Sequence, residues 1–342
     1  MIRKRFSKSA LVFLVINCVL IAVVLKFYSF SIWGNAEKKQ LTPIRRQLVQ
    51  KATNESKGHS RYNRAVLDRV MPTDTIYVTI LRDPVTQFES TFSYMTFGEI
   101  LGISNETDPL EAFFENPKDV LMNYILTQDL RINSDRLKLI RNGMFFDLGL
   151  ESKDFNNMDE IRRKVQRLDR EFHFVMLMEY FDESLIMLKN LLCWDMDDIV
   201  YFHHNQRRTT QKRNTNLVKE IQQWSHADTV LYDYFKDKFL HKLRQQNEDF
   251  FHDITDLRTR NAVLRDICLN STPGNDEGYQ DVDIKGFKIW QNLTEPLKTM
   301  CDKMTWNEVR YLGYLRYKQR KQLPATNTRT FRDYVRTWVP FV

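Results

Sequence analysis

Thr75-Ile76-Tyr77-Val78-Thr79-Ile80-Leu81-Arg82-Asp83-Pro84 is the stretch whose reading decides the fold. Its β-branched, aliphatic and aromatic residues read as a strand over Thr75 to Leu81, and Arg82-Asp83-Pro84 ends that strand sharply. A helix is predicted from Val85, because Val85, Phe88, Phe92 and Met95 recur at intervals of three and four and share one face.

Downstream the same unit repeats. His173 to Met178 reads as a strand, and Glu179-Tyr180-Phe181-Asp182 leads into a helical run from Glu183 to Leu192 with Leu185, Leu188 and Leu192 as its buried stripe. A third short strand is expected over Ile199 to Phe202, before the basic loop His203, His204, Asn205, Gln206, Arg207 and Arg208. Between Val218 and Leu264, Leu231, Phe235, Phe239 and Leu243 keep helical spacing. Strands alternating with helices imply an α/β fold with a parallel sheet, here covered by a mainly helical C-terminal half.

The chain has 342 residues, of which 42% are hydrophobic and 28% charged, with 10 glycines and 9 prolines. That composition excludes a disordered chain and fits one folded unit. The net charge of +7 suits an anionic ligand, but the basic residues are spread along the chain, without the stripe that nucleic acid requires. The cysteines form no CxxC pair and there is no His-rich spacing, so a structural zinc site is not expected.

At the N-terminus, Arg3, Lys4, Arg5 and Lys8 precede an apolar run from Ala10 to Leu25 that only Asn17 interrupts, and apolar character resumes through Phe27, Tyr28, Phe30, Ile32 and Trp33. This reads as a transmembrane helix with aromatic residues at the interface and a cytoplasmic N-terminus. A cleaved signal peptide is the alternative, and Lys26-Phe27-Tyr28 is a poor cleavage site. Either way the remainder enters the secretory lumen. The expected organisation is a cytoplasmic tail (1–8), a transmembrane signal anchor (9–33), a polar stem (34–58) and a lumenal domain (59–342). Sequons at Asn54, Asn105, Asn270 and Asn292 agree with that compartment as glycosylation sites.

A strand ending in Arg, a tight turn and a helix carrying Ser90 deliver a guanidinium and a hydroxyl to the carboxyl edge of a parallel sheet, where such folds bind ligands. A guanidinium grips phosphate oxygens bidentately. Alone, Arg-Asp-Pro reads more readily as an Arg82–Asp83 surface pair with Ser90 merely on a helix. The whole of Thr75 to Tyr94, however, resembles the 3′-phosphate-binding segment of the galactose-3-O-sulfotransferases. Further matches keep the family's order: Phe145-Phe146-Asp147-Leu148-Gly149, Glu179 to Leu185, Leu191-Leu192-Cys193-Trp194, Asp198 to Phe202, Asn205, and Ile267-Cys268 with the later Cys301. The resemblance runs from about His59 to near Lys318.

The resemblance implies a P-loop-like sulfotransferase fold, with a parallel sheet flanked by helices and a helical C-terminal part. It implies PAPS as co-substrate and sulfate transfer, without a metal, to the 3-hydroxyl of terminal galactose on a glycolipid or glycan. Arg82 and Ser90 would hold the 3′-phosphate of PAPS. The setting would be the Golgi membrane, as a single-pass type II protein; homodimerisation stays open. A disulfide between Cys268 and Cys301 is expected, closing a loop with two sequons, and Cys193 is expected as a buried thiol beside Trp194. The matching family segment is His-rich, which makes His59 the candidate base and Arg61 an acceptor-side residue. His203, His204 and Arg207 either face the donor's anionic end or form a solvated loop.

One family feature is not found. Family members carry a strand and a His-Lys-Thr loop for the 5′-phosphosulfate before the Arg-Asp-Pro strand, whereas here Trp33 leads through the stem to Gly58-His59-Ser60-Arg61. The lumenal domain is therefore expected to be N-terminally incomplete. Two readings stay open: a truncated form of an active enzyme, or a non-catalytic relative that binds glycan or an active partner.

Overall fold

The computed structural model describes residues 13–16, 61–127, 137–203, 213–270, 274–275, 285–306, 310, 313–314 and 317. Strands β1 (Phe13–Ile16), β2 (Tyr77–Leu81) and β3 (Phe174–Leu177) form a parallel sheet in the order β1-β2-β3. Phe13 stands opposite Tyr77 and Ile16 opposite Ile80, while Val78 stands opposite Phe174 and Leu81 opposite Leu177. All five residues of β2 are buried, which explains why Tyr77 to Leu81 lacks the alternation of a strand with one wet face.

Helices lead from β2 onward to β3. The first, α1 (Pro84–Tyr94), starts on Pro84, and Asp83 caps it by accepting from the amides of Val85 and Thr86 at 3.1 Å each. The expected stripe holds: Val85, Phe88 and Phe92 are buried, and Met95 packs half-buried beside them. Ring contacts of Phe88 and Phe92 with Phe113, from helix α2 (Pro109–Glu115), build a cluster that α6 (Thr215–Trp224) closes with Leu217 and Ile221.

The larger cluster surrounds the sheet. It gathers Tyr77, Val78 and Leu81 of β2, Met176 and Leu177 of β3, and the apolar faces of α4 (Met158–Glu171), α5 (Phe181–Leu192), α7 (His226–Arg244) and α8 (Glu248–Cys268). The family-like Phe145-Phe146-Asp147-Leu148-Gly149 forms most of the short helix α3 (Gly143–Asp147) and its exit. Gly149 has φ +88°, and a Cβ there would lie 2.7 Å from the Tyr62 carbonyl oxygen, so only glycine fits.

The chain is thus α/β, helix-rich, with a small parallel sheet. Several expectations need correction. Phe13–Ile16 lies inside the run read as a transmembrane helix, yet it forms an edge strand. An unbroken apolar run suits a lipid-facing helix and a buried parallel strand equally, and here the hydrogen-bonding edge of β2 takes it. Among the described residues, no helix is long and apolar enough to cross a membrane. The rest of 9–33, the tail, the stem with Asn54, and His59 lie outside the described residues.

The expected strand Ile199–Phe202 is instead irregular: a 3-10 turn over Met196–Asp198 precedes it, and the Tyr201 amide donates to the Asn261 side chain at 2.9 Å, not to a neighbouring strand. Cys193 is exposed rather than buried, and it ends α5 as a left-handed C-cap at φ 54°. The Cys268–Cys301 disulfide is present and joins α8 to helix α9 (Leu297–Met304), with both residues fully buried.

Candidate functional site

The carboxyl ends of β2 and β3 converge on one edge, where Leu81 pairs with Leu177. There Arg82 and Asp83 form the turn into α1, and Met178-Glu179-Tyr180 forms a 3-10 turn into α5. Arg82 is half-buried, and its Nε donates to Thr86 Oγ1 at 3.0 Å while the Thr86 hydroxyl donates to the Asp83 carbonyl at 3.2 Å. The guanidinium is thereby fixed along the first turn of α1, at the end of the helix that favours an anion.

Glu179 closes this edge. One carboxylate oxygen accepts the Asp83 amide at 2.7 Å, and the other accepts the Tyr232 hydroxyl at 2.8 Å. Tyr232 is buried on α7, and burial together with the Glu179 contact pushes its phenol well above the ordinary tyrosine range. The neutral phenol therefore remains a donor at any physiological pH.

Ser90 stands two turns into α1 and is 9% exposed, so it is less accessible than a residue of the first turn. Beside it, Glu89 accepts from Arg213 Nε at 2.9 Å, and Arg213 also bonds Asp108 at the cap of α2. Burial pushes Asp108 up, but Arg213 and the amides of Glu111 and Leu110 outweigh it and hold the carboxyl below its usual range. Arg213 so ties the end of the segment after the basic loop to the helix bearing Ser90.

Beneath α1, Pro84, Gln87, Phe88 and Thr91 face Gly143, Ser225 and Asp228 across a cavity of about 10 Å³, room for roughly one water. Asp228 is 3% exposed; its carboxylate accepts the amides of Phe145 at 2.8 Å and Met144 at 3.2 Å, and its own amide donates to Asn142 Oδ1 at 3.1 Å. It replaces the missing side-chain cap of α3, whose Asn142 has φ 52°. Burial raises Asp228 to about 7 against its amide bonds, and neighbouring Asp147 adds to the rise.

The structure thus brings Arg82 and Ser90 onto one strand-turn-helix unit. Arg61 is a different matter. Its Nε donates to the Phe146 carbonyl at 2.9 Å, Nη2 to the Leu150 carbonyl at 3.0 Å, and Nη1 to Glu151 at 3.1 Å, with the guanidinium carbon 4.0 Å from the Phe146 ring. The next residue, Tyr62, packs on Tyr77 and Phe172, at the amino ends of β2 and β3. Arg61 therefore clasps the exit of α3, beside the amino ends of β2 and β3 rather than the carboxyl edge that holds Arg82.

His203 is exposed and rests on the Tyr201 ring at 4.8 Å, whereas His204 and Arg207 lie outside the described residues. Asn105 and Asn292 are exposed and Asn270 is half-buried, its amide donating to the Lys288 carbonyl. Glu179, Tyr232, Arg213 and Asp228 were missed in the sequence. Only Glu179 carried a signal: it comes two residues after β3 as Asp83 comes two residues after β2.

The galactose-3-O-sulfotransferase family model matches residues 43–319. Galactosylceramide sulfotransferase of Homo sapiens is 29% identical over 273 residues, covering 75% of this chain and 62% of the relative. Galactose-3-O-sulfotransferase 3 of Mus musculus is 30% identical over 286 residues, covering 78% and 64% respectively. Galactose-3-O-sulfotransferase 2 of Sus scrofa is 30% identical over 287 residues, covering 79% and 69%. The chain spans a little over three fifths of the first two of these relatives. No solved structure matches it. The span of the family match, which contains the Arg82 turn, Glu179 and the disulfide alike, shows that this chain belongs to the galactose-3-O-sulfotransferase family.

Proposed function

We propose that the chain binds PAPS at the shared carboxyl edge of β2 and β3 and transfers its sulfuryl group to the 3-hydroxyl of a terminal galactose on a glycolipid or glycoprotein glycan. In that reaction the acceptor oxygen attacks sulfur in line as its hydroxyl proton passes to a base, for which His59 is the candidate, the bond from sulfur to the bridging phosphate oxygen breaks, and 3′,5′-ADP (PAP) leaves. The observation that carries the reading is the Arg82-Asp83 turn, a guanidinium held against a capped helix N-terminus. Arg82 would pair with the 3′-phosphate and Ser90 would add a donor. The family membership supports the reaction class.

Labelled PAPS offered to the full chain with a panel of galactosides is the test. Sulfated galactoside is the expected product. PAP binding without turnover would instead support a scaffold that binds glycan or an active relative. In calorimetry, Arg82→Ala is expected to weaken PAP at least tenfold, while Lys51→Ala and Lys57→Ala in the stem change little. Equal affinities would remove Arg82 from the donor site.

The proposed location, the Golgi membrane in type II orientation, rests on the basic flank and apolar run of the N-terminus. Since β1 draws Phe13–Ile16 from that run, anchor and strand are alternatives for those residues. Carbonate extraction separates them: retention in the membrane pellet supports the anchor, and release supports the strand.

A further inference from the structure

We infer that Glu179 is a positioning residue for the donor site, one that sets Arg82 by holding the Asp83 amide and is itself held by Tyr232. The inference rests on the donor-site reading above and adds residues to it.

The argument begins with an amide that has nowhere else to go. Asp83 stands two residues past Leu81, the last ladder residue of β2, and caps α1, so its N–H belongs to neither the sheet nor the helix. Glu179 accepts it at 2.7 Å, a short, charge-assisted bond across 96 residues of sequence. The Asp83 side chain and carbonyl are also engaged, the former by Val85 and Thr86, the latter by the Thr86 hydroxyl. Arg82 Nε lies in the same network through Thr86. Moving the Asp83 amide therefore moves the hydroxyl that aims the guanidinium.

Glu179 has the opposite charge to the residue it serves, and sits where an anion is to bind. Its two oxygens each accept from a donor, which turns a carboxylate near an anion site into a brace. The brace spans three elements: the turn after β2, the turn after β3, and the buried face of α7. Tyr232 lies 2% exposed among the main core residues, so it has a fixed ring from which to hold Glu179.

The test combines PAP affinity with amide exchange at Asp83 in the full chain. Glu179→Ala is expected to weaken PAP about tenfold, the loss of one charge-assisted bond. Glu179→Gln, which keeps an acceptor oxygen for the amide, is expected to restore most of that loss, and Tyr232→Phe to weaken PAP about threefold. Because Glu179 acts through Arg82, adding Glu179→Ala to Arg82→Ala is expected to cost no further affinity. A purely architectural role would give additive losses, and additivity overturns the inference.

Exchange at the Asp83 amide is read without ligand. Glu179→Ala is expected to accelerate it at least about tenfold relative to amides inside β2, and unchanged exchange overturns the inference. If the parent chain binds no PAP, the donor-site reading fails and so does the assignment of Glu179 to it, while faster exchange would still show the brace on the turn.

Discussion

Replacing Asp228 with asparagine isolates the one buried carboxylate that joins α7 to α3 beneath the Ser90 helix. In the folded protein burial raises this carboxyl from 3.8 to about 7. Between those values the folded state holds a proton that the unfolded chain has released, so stability is greatest below about pH 4 and falls as pH rises towards 7. The full span corresponds to on the order of 4 kcal/mol, of which roughly 2 kcal/mol falls between about pH 5 and pH 7. The substituted amide would not titrate, but its single carbonyl oxygen can satisfy only one of the two backbone amides now bonded at 2.8 and 3.2 Å. The orphaned amide costs about 1–3 kcal/mol at every pH. Asp147, also raised by burial to about 7 against the nearby Arg61 charge, titrates in both proteins and largely cancels from their difference. The expectation is therefore that the stability deficit of Asp228→Asn against the parent is about 2 kcal/mol larger at pH 5 than at pH 7, on top of the constant cost of the orphaned amide. Urea unfolding followed by tryptophan fluorescence at half-unit steps measures this. A stability difference that stays constant from pH 5 to pH 7 would refute the account of Asp228.

Three further outcomes follow from the packing. Phe113, fully buried between Phe88, Phe92 and Trp224, is expected to cost about 3–5 kcal/mol on truncation to alanine, read as a lowered urea midpoint. Opening the Cys268–Cys301 bridge by a double change to serine frees a loop of sequence separation 33 and is expected to cost roughly 3–4 kcal/mol; an unchanged midpoint would show the bridge is not constraining the unfolded chain. Cys193 is expected to react with a thiol reagent in the folded state, in a single equivalent that Cys193→Ser abolishes among the described cysteines.

Local chemistry was legible where it sufficed. Strand β2, the stop at Arg82-Asp83-Pro84 and the stripe of α1 are written in consecutive residues, and the structure reproduces them. The repeat of that unit at β3 and α5 was legible for the same reason. Ile199 to Phe202 has a strand's composition, yet the Asn261 side chain, 60 residues away, takes the Tyr201 amide. The partners of Arg61 could not be read locally, because the two carbonyls and the carboxylate that hold it lie 85 to 90 residues downstream. Glu179 and Asp228 escaped notice likewise: their partners come from other elements, and no periodicity encodes a contact across the fold. Cys193 illustrates a different limit, since beside a tryptophan it suggested burial, while at the end of α5 it is exposed.

The pairing of β1 with β2 also has a timing. Phe13 must find Tyr77, so the segment that forms β1 waits during synthesis for a partner 77 − 13 = 64 residues behind it. At about 5–20 residues per second, that wait lasts several seconds. Throughout it, residues 13–16 have no ladder partner in β2, and any other surface that takes up their backbone removes them from the sheet. The edge of β2 would then emerge without its neighbour, a bare row of amides and carbonyls open to any strand nearby. Whichever partner reaches Phe13–Ile16 first, β2 or another surface, sets whether the sheet keeps that strand.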